Sequence, residues 1–158
     1  MDGLNNNYRR VRRITIVKEI VLNQSQLDIL TEHAIKSGQN ESCAMLLGIQ
    51  KEQQWNVKEV FLTQNVDGNP EMEFTISPDE LLSGYKHADT EHLELVGIFH
   101  SHPKSIALPS NTDRKFMALN GDVPWVIFSG LTTDCKAFIL EEDVEEIKIR
   151  IMERHFFQ

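Results

Sequence analysis

The sequence has few cysteines, the residues whose disulfide bonds stabilise many small or secreted proteins. It contains two cysteines, Cys43 and Cys135, among 158 residues, which is too few for a disulfide framework. We therefore expect two reduced thiols. No apolar run is long enough to span a bilayer, and residues 1–13 lack the apolar core of a secretory signal. We expect a cytoplasmic protein without membrane association.

Positive charge is also scarce. The chain has 16 lysines and arginines against 24 acidic residues, for a net charge of −8. Because nucleic-acid binding requires a basic face that neutralises phosphates, we expect no nucleic-acid partner. The exception is a basic N-terminal arm at residues 1–13, which contains Arg9, Arg10, Arg12 and Arg13. Such an arm is either a solvated tail or a docking segment for an acidic partner.

The rest of the chain, residues 14–158, has the pattern of a single domain of ordinary globular composition. Capping residues predict three helices, which begin at Asn23, Ser77 and Ser110. A turn is expected at 67–70. Strands are predicted at 14–22, 42–49, 55–63, 72–76, 93–100, 124–129, 136–141 and from Val144 onward. Strands that alternate with helices indicate a layered α/β domain.

The candidate metal-binding segment is His100-Ser101-His102-Pro103. It is followed by a predicted helix start at Ser110-Asn111-Thr112-Asp113. Residues two apart on a strand point to the same face, so both imidazoles project side by side at the strand end. Ligands in open α/β sheets bind beyond the carboxyl ends of strands. Two imidazoles and the Asp113 carboxylate, with a fourth position open, match a catalytic zinc site.

Each of these pieces also has a plainer interpretation. The two histidines are alternatively surface residues, and Ser110 with Asp113 forms an ordinary capping box. Glu41, just before an apolar strand, is the candidate general base, although glutamates in such loops are commonly only solvent-exposed. Two histidines and one carboxylate also form the facial triad of non-haem iron oxygenases. The α/β pattern and the extra glutamate favour a hydrolase over an oxygenase.

Taken together, Glu41, the His-Ser-His-Pro segment and the Ser-x-x-Asp segment resemble the JAMM motif of MPN-domain metallopeptidases. The stretch from Asn65 to Leu82 also resembles the family's N…P…F-x-I-x-P-x-E segment, and the resemblance extends over about residues 14–142. It implies a cytidine-deaminase-like JAB/MPN core, a three-layer α-β-α domain with a central mixed sheet. Within the family, the chain is similar to the compact prokaryotic kind.

The resemblance also implies roles for individual residues. His100, His102 and Asp113 would bind zinc, Glu41 would act as general base, and Ser110 would donate a hydrogen bond to the oxyanion. The implied reaction is hydrolysis of the bond after the C-terminal Gly-Gly of a ubiquitin-like protein. Its partners would be such a protein or its conjugates, with a proteasome-like complex left open. We expect the substrate tail to pair with a sheet edge as an added strand.

Two other functions remain open on the sequence alone. The same metal centre also suits a hydrolase of short peptides, or an enzyme that trims sulfur-carrier proteins. Some members of the family are scaffolds without activity, although a scaffold has no need of Glu41 and Ser110. Ser101 points away from the two histidines, and we interpret it as a packing residue or a support for the site. His33, His87, His92 and His155 lack metal-ligand spacing.

Overall fold

The computed structural model describes residues 16–153, in which strands and helices alternate along the chain. The basic arm predicted at 1–13 lies outside the described residues, as do the ends of the predicted domain. The elements are β1 (Glu19–Asn23), α1 (Gln24–Lys36), β2 (Cys43–Lys51), β3 (Gln54–Thr63), α2 (Pro78–Thr90), β4 (Glu94–His102), α3 (Asn111–Leu119), β5 (Trp125–Ser129), β6 (Cys135–Leu140) and β7 (Val144–Met152).

The helix boundaries follow the capping residues of the sequence. Asn23 caps α1 and exchanges hydrogen bonds with Gln26, so that two otherwise free N–H groups are satisfied. Gly38 follows the last turn with a φ of 61°, a conformation that favours glycine. Ser77 caps α2, with Pro78 in the first helical position. The three predicted helix starts are confirmed.

The seven strands form one mixed sheet that closes on itself in the order β1-β3-β2-β4-β5-β6-β7. β1 lies parallel to both β3 and β7, and β4 lies parallel to β5, while the other neighbours are antiparallel. The predicted α/β domain with a mixed sheet and three helices is therefore confirmed. The open, three-layer arrangement needs correction, because β1 hydrogen-bonds on both sides and joins the two ends of the sheet.

The strand predicted at 72–76 does not form. In its place there is one isolated bridge between Asn65 and Ile76. The side-chain carboxamide of Asn65 takes the hydrogen-bonding role of a partner strand, since it binds the carbonyl of Glu73 and the N–H of Thr75. Because the Asn65 side chain satisfies these two backbone groups, they need no hydrogen bonds from a neighbouring strand.

The central strands are covered on both faces. Leu30 and Ala34 of α1 pack into the largest hydrophobic cluster, together with Leu46 of β2. Met117 of α3 and Ala88 of α2 belong to two further clusters, which also contain residues of β4, β5 and β2. β4 therefore ends inside the molecule, and His100 and His102 lie at that end. In the described part of the chain, no helix is long and apolar enough to cross a membrane.

We predict that Gly48→Ala destabilises the domain by about 3 kcal/mol. Gly48 lies at a bulge where β2 meets β3, and a Cβ atom there would come within 1.8 Å of the carbonyl oxygen of Asn56. Backbone would have to move to relieve this overlap. Urea denaturation of both proteins gives the difference in the free energy of unfolding.

Gly68→Ala is the matched control, because a Cβ atom at Gly68 meets no atom within 4 Å. Its free energy of unfolding should stay within about 0.5 kcal/mol of the parent. Equal loss of stability in the two variants would contradict the packing argument at Gly48.

Candidate metal centre

The C-terminal end of strand β4 brings two imidazoles together. His100 and His102 lie two residues apart on the same face, and their Nε2 atoms are 3.0 Å from each other. β2 pairs with β4 at His100, while β5 pairs with it at both histidines, so the backbone under the rings is held on two sides. The side chain of His100 is fully buried and that of His102 is 6% exposed. They are not surface histidines.

The first turn of helix α3 adds a carboxylate to this pair. Asp113 Oδ2 lies 3.1 Å from Nε2 of His100 and 3.1 Å from Nε2 of His102. The same oxygen accepts a hydrogen bond from the N–H of Ser110, while Ser110 Oγ accepts one from the N–H of Asp113. Asp113 thus belongs to a capping box and to the histidine pair at once. The capping box and the candidate metal ligand are therefore compatible interpretations of Ser110-x-x-Asp113, because one geometry provides both.

The three donor atoms fit a zinc ion. Tetrahedral zinc holds its nitrogen and oxygen ligands at about 2.0–2.2 Å, which places neighbouring donor atoms about 3.3 Å apart. The triangle of His100, His102 and Asp113, with sides of 3.0, 3.1 and 3.1 Å, is close to that spacing. Nδ1 of His102 lies 3.0 Å from the carbonyl oxygen of Ile106, which requires the proton on Nδ1. Nε2 of His102 then keeps its lone pair for a metal.

Glu41 faces the same point from the loop before β2. Its side chain is 5% exposed, and Oε1 lies 3.9 Å from Nε2 of His100. This oxygen has no hydrogen-bond partner among residues 16–153. Burial raises the pKa of the Glu41 carboxyl to about 8, although the nearby His102 opposes the rise. A buried carboxyl with a raised pKa and a free oxygen is suited to accept a proton near neutral pH.

The structure thus permits two sets of three ligands. Donor atoms of Glu41, His100 and His102 also lie within 4.8 Å of one another. The 3.9 Å separation between Glu41 and His100 is, however, longer than the 3.1 Å contacts of Asp113 with each histidine. Asp113 is therefore the better third ligand, and Glu41 is better placed to contact a fourth group in the open position.

Electrostatics within the site favour neutral imidazole at His100 and ionised carboxylate at Asp113. Burial lowers the pKa of His100, against the opposing effect of Asp113. At Asp113, burial acts to raise the pKa, but hydrogen bonds from both histidines outweigh it, and the pKa lies well below its usual range. Metal binding requires these states at His100 and Asp113. At His102 burial acts to lower the pKa, but the contacts with Asp113 and the Ile106 carbonyl outweigh it and the pKa is raised, so metal binding there competes with a proton.

Two aromatic residues that the motif does not include complete the surroundings of His100. Phe74 stacks on its ring at a centroid distance of 4.7 Å, and Trp125 meets it edge-on at 5.6 Å. Both line a cavity of about 250 Å³ whose other walls include Leu81 and Tyr85 of α2 and Phe116 of α3. The sequence predicts only packing for Trp125. The F-x-I portion of the Asn65–Leu82 segment was the available signal for Phe74.

Ser101 has the supporting place that its position predicts. Its Oγ accepts a hydrogen bond from the N–H of Ser42 at 2.9 Å and lies 2.9 Å from the hydroxyl of Ser42. Ser42 follows Glu41 directly. The pair therefore fastens the loop of the candidate base to the strand of the candidate ligands.

Within residues 16–153, the two thiols and the other histidines take no part in this centre. Both cysteines are free, as expected, and burial raises the pKa of Cys43 to about 11 and that of Cys135 to about 12. Thiols of such high pKa are poor nucleophiles at neutral pH. Nε2 of His33 lies 3.0 Å from the carbonyl oxygen of Cys43, and His87 pairs with Glu59. His155 lies outside the described residues.

Known proteins share both the sequence pattern and the fold. Residues 23–141 match the family described as prokaryotic homologs of the JAB domain. A desampylase from Pyrococcus furiosus is 36% identical over 117 residues, which cover 73% of this chain and 79% of the relative. A probable TtuB-protein conjugate cleaving protease from Thermus thermophilus is 39% identical over 89 residues, or 56% of this chain and 57% of the relative.

A solved structure agrees with these sequence relatives. The solution structure of protein DSY2949 from Desulfitobacterium hafniense superposes with a TM-score of 0.76 at 29% identity, covering 85% of this chain and 94% of that one. Fold, sequence identity and motif point in one direction. The chain belongs to the prokaryotic JAB-domain family, as its resemblance to the JAMM metallopeptidases implies.

Proposed function

We propose that this chain is a zinc metallopeptidase that hydrolyses the bond after the C-terminal Gly-Gly of a ubiquitin-like protein. One observation carries the proposal: the close triangle of His100, His102 and Asp113 lies beside a buried carboxylate, Glu41, that has a free oxygen. The printed names of the two relatives, a desampylase and a protease that cleaves TtuB-protein conjugates, support a hydrolase of protein conjugates.

In this proposal each residue of the motif has one task. His100, His102 and Asp113 would hold zinc, which would supply the Lewis acidity for activating water and polarising a carbonyl. Glu41 takes a proton from the attacking water and delivers it to the leaving amine. Ser110 Oγ accepts from the N–H of Asp113, so its own O–H is free to donate to the oxyanion.

The path of the substrate tail stays a prediction, and the structure offers two places for it: a strand side, as the sequence predicts, and a cavity beside the histidines. Each described strand has two neighbours in the closed sheet, but β1 pairs with β3 only at residues 54–56, so beyond Asn56 β3 pairs with β2 alone. The cavity between α2 and α3 is next to the metal centre, because Phe74 forms part of its wall and also stacks on His100. An apolar side chain of the tail would occupy it, with the scissile bond over the histidines.

A short-peptide hydrolase or an enzyme that trims sulfur-carrier proteins would use the same centre. A Gly-Gly dipeptide conjugate separates the short-peptide alternative from the proposed function: equal cleavage of the dipeptide and of an intact protein fusion favours the small substrate. Measurement of the zinc content distinguishes an inactive scaffold from the proposed enzyme, since a scaffold has no need to bind the ion.

We predict that Asp113→Ala lowers zinc binding at least 100-fold, while Glu41→Gln retains one zinc per chain. Loss of a ligand removes part of the affinity outright, whereas a base outside the coordination shell contributes little. Zinc is measured by metal analysis after dialysis, and affinity by competition with a chelating dye. The reverse result, loss of zinc in Glu41→Gln alone, would make Glu41 the third ligand.

We predict that zinc-loaded protein cleaves a ubiquitin-like protein fused through Gly-Gly to a reporter. Cleavage should cease with a chelator and return with added zinc. In Glu41→Gln it should fall by about 10²–10⁴-fold, because the general base is lost. Gel analysis and mass spectrometry of the products locate the cut. Full cleavage in the presence of chelator, or by Glu41→Gln, would contradict the mechanism.

We predict that Ser110→Ala lowers kcat about 10²–10³-fold through loss of an oxyanion donor. It also loses the cap of α3, which costs about 1 kcal/mol of stability. Ser110→Thr, which keeps the hydroxyl, is the control that separates the two effects. Steady-state kinetics and thermal melting are measured on both variants. If Ser110→Ala keeps its kcat and loses only stability, Ser110 is a helix cap alone.

A further inference from the structure

The side chain of Asn65, just after β3, makes an unusually large number of hydrogen bonds. The two N–H groups of its Nδ2 serve three carbonyl oxygens, those of Glu73 at 2.9 Å, Glu41 at 3.0 Å and Pro70 at 3.3 Å, so one hydrogen is shared between two acceptors. Its Oδ1 accepts from the N–H groups of Asp67 at 3.0 Å and Thr75 at 3.1 Å. One carboxamide therefore organises the segment from residue 65 to residue 76, hereafter the 65–76 segment.

This segment holds the backbone of Glu41 at both of its polar groups. The carbonyl oxygen of Glu41 accepts from Asn65, and its N–H donates to the carbonyl oxygen of Pro70 at 2.7 Å. On the other side, Ser42 is bonded to Ser101 of β4. The carboxylate itself has an unpartnered oxygen, so the backbone contacts are what set its position relative to His100.

The same segment also forms a wall of the cavity beside the metal centre. Phe74 stacks on His100, and Phe74, Thr75 and Ile76 all line the cavity. The N–H of Thr75 and the carbonyl of Glu73, on either side of Phe74 in the chain, are both bonded to Asn65. Asn65 therefore links the backbone of Glu41 to the residues that border Phe74.

We infer that Asn65 is a positioning residue for the reaction: its carboxamide fixes the backbone of Glu41 and joins it to the wall of the substrate cavity. The inference rests on the proposed function, since it gives Glu41 the role of base. Catalysis depends steeply on such placement, because a displacement of about 1 Å can cost about 100-fold in rate. Asn65 acts through Glu41 and Phe74 and need not touch substrate.

Asn65→Asp is the most selective variant. It keeps Oδ1 as acceptor for the N–H groups of Asp67 and Thr75, but it replaces the donor with an oxygen that faces three carbonyl oxygens. Asn69→Asp is the matched control, with the same chemical change on an exposed residue of the same segment. Asn65→Ser, which removes the carboxamide without adding charge, is a second variant in case the first fails to fold.

The decisive experiment measures amide hydrogen exchange at Glu41 by NMR in the zinc-loaded protein, together with zinc content and steady-state kinetics. In Asn65→Asp we expect exchange at Glu41 to be faster by about tenfold or more. Zinc content should stay at one per chain, kcat should fall about 10- to 100-fold, and KM should change less than twofold. Asn69→Asp should match the parent in every measurement.

Several results would overturn the inference. These are unchanged exchange at Glu41 in Asn65→Asp, an equal change in Asn69→Asp, or a loss that appears in KM alone. Loss of cooperative thermal melting in both Asn65 variants would also overturn it, because Asn65 would then be a residue of general stability. If the parent cleaves no fusion protein, the proposed function fails, while the exchange data still decide whether Asn65 fixes Glu41.

Discussion

The carboxylate of Asp113 connects the two elements that form the metal centre, strand β4 and the first turn of helix α3. One of its oxygens contacts both imidazoles of β4 and accepts the N–H of Ser110 at the start of α3. An anion at a helix N-terminus is stabilised by the free N–H groups and by the helix dipole. The fold therefore supplies part of the energy needed to keep this carboxylate ionised inside the protein, and the histidines supply the rest.

The candidate site could be found from the sequence because its residues obey local rules. His100 and His102 share a face through the two-residue period of a strand, and Ser110 and Asp113 meet through the geometry of a helix cap. Each rule acts within a few residues, so no knowledge of distant contacts is needed. Glu41 is different: its place before an apolar strand makes it a candidate base, but neither period nor cap singles it out, and the resemblance to a known motif is what assigns it to the site.

The features that escaped prediction depend on contacts between distant parts of the chain. Closure of the sheet requires β1 to pair with β7, whose partners Ile20 and Ile149 are far apart in sequence. The segment at 72–76 has the residues of a strand, but Asn65 satisfies its backbone with a side chain, and local propensity does not report such a competitor. The stacking of Phe74 on His100 follows from that loop conformation, so the cavity was missed with it.

The closed sheet has a further consequence for a protein proposed to handle extended polypeptide tails. A sheet with a bare edge presents unpaired N–H and C=O groups, which invite any extended chain to add itself, including another copy of the same protein. Among residues 16–153, β1 pairs with β3 on one side and with β7 on the other, so β1 itself offers no side to an added chain. Closure thus protects β1 as a template, whereas β3 beyond Asn56 pairs with β2 alone, so any chain that adds itself to this sheet would do so there.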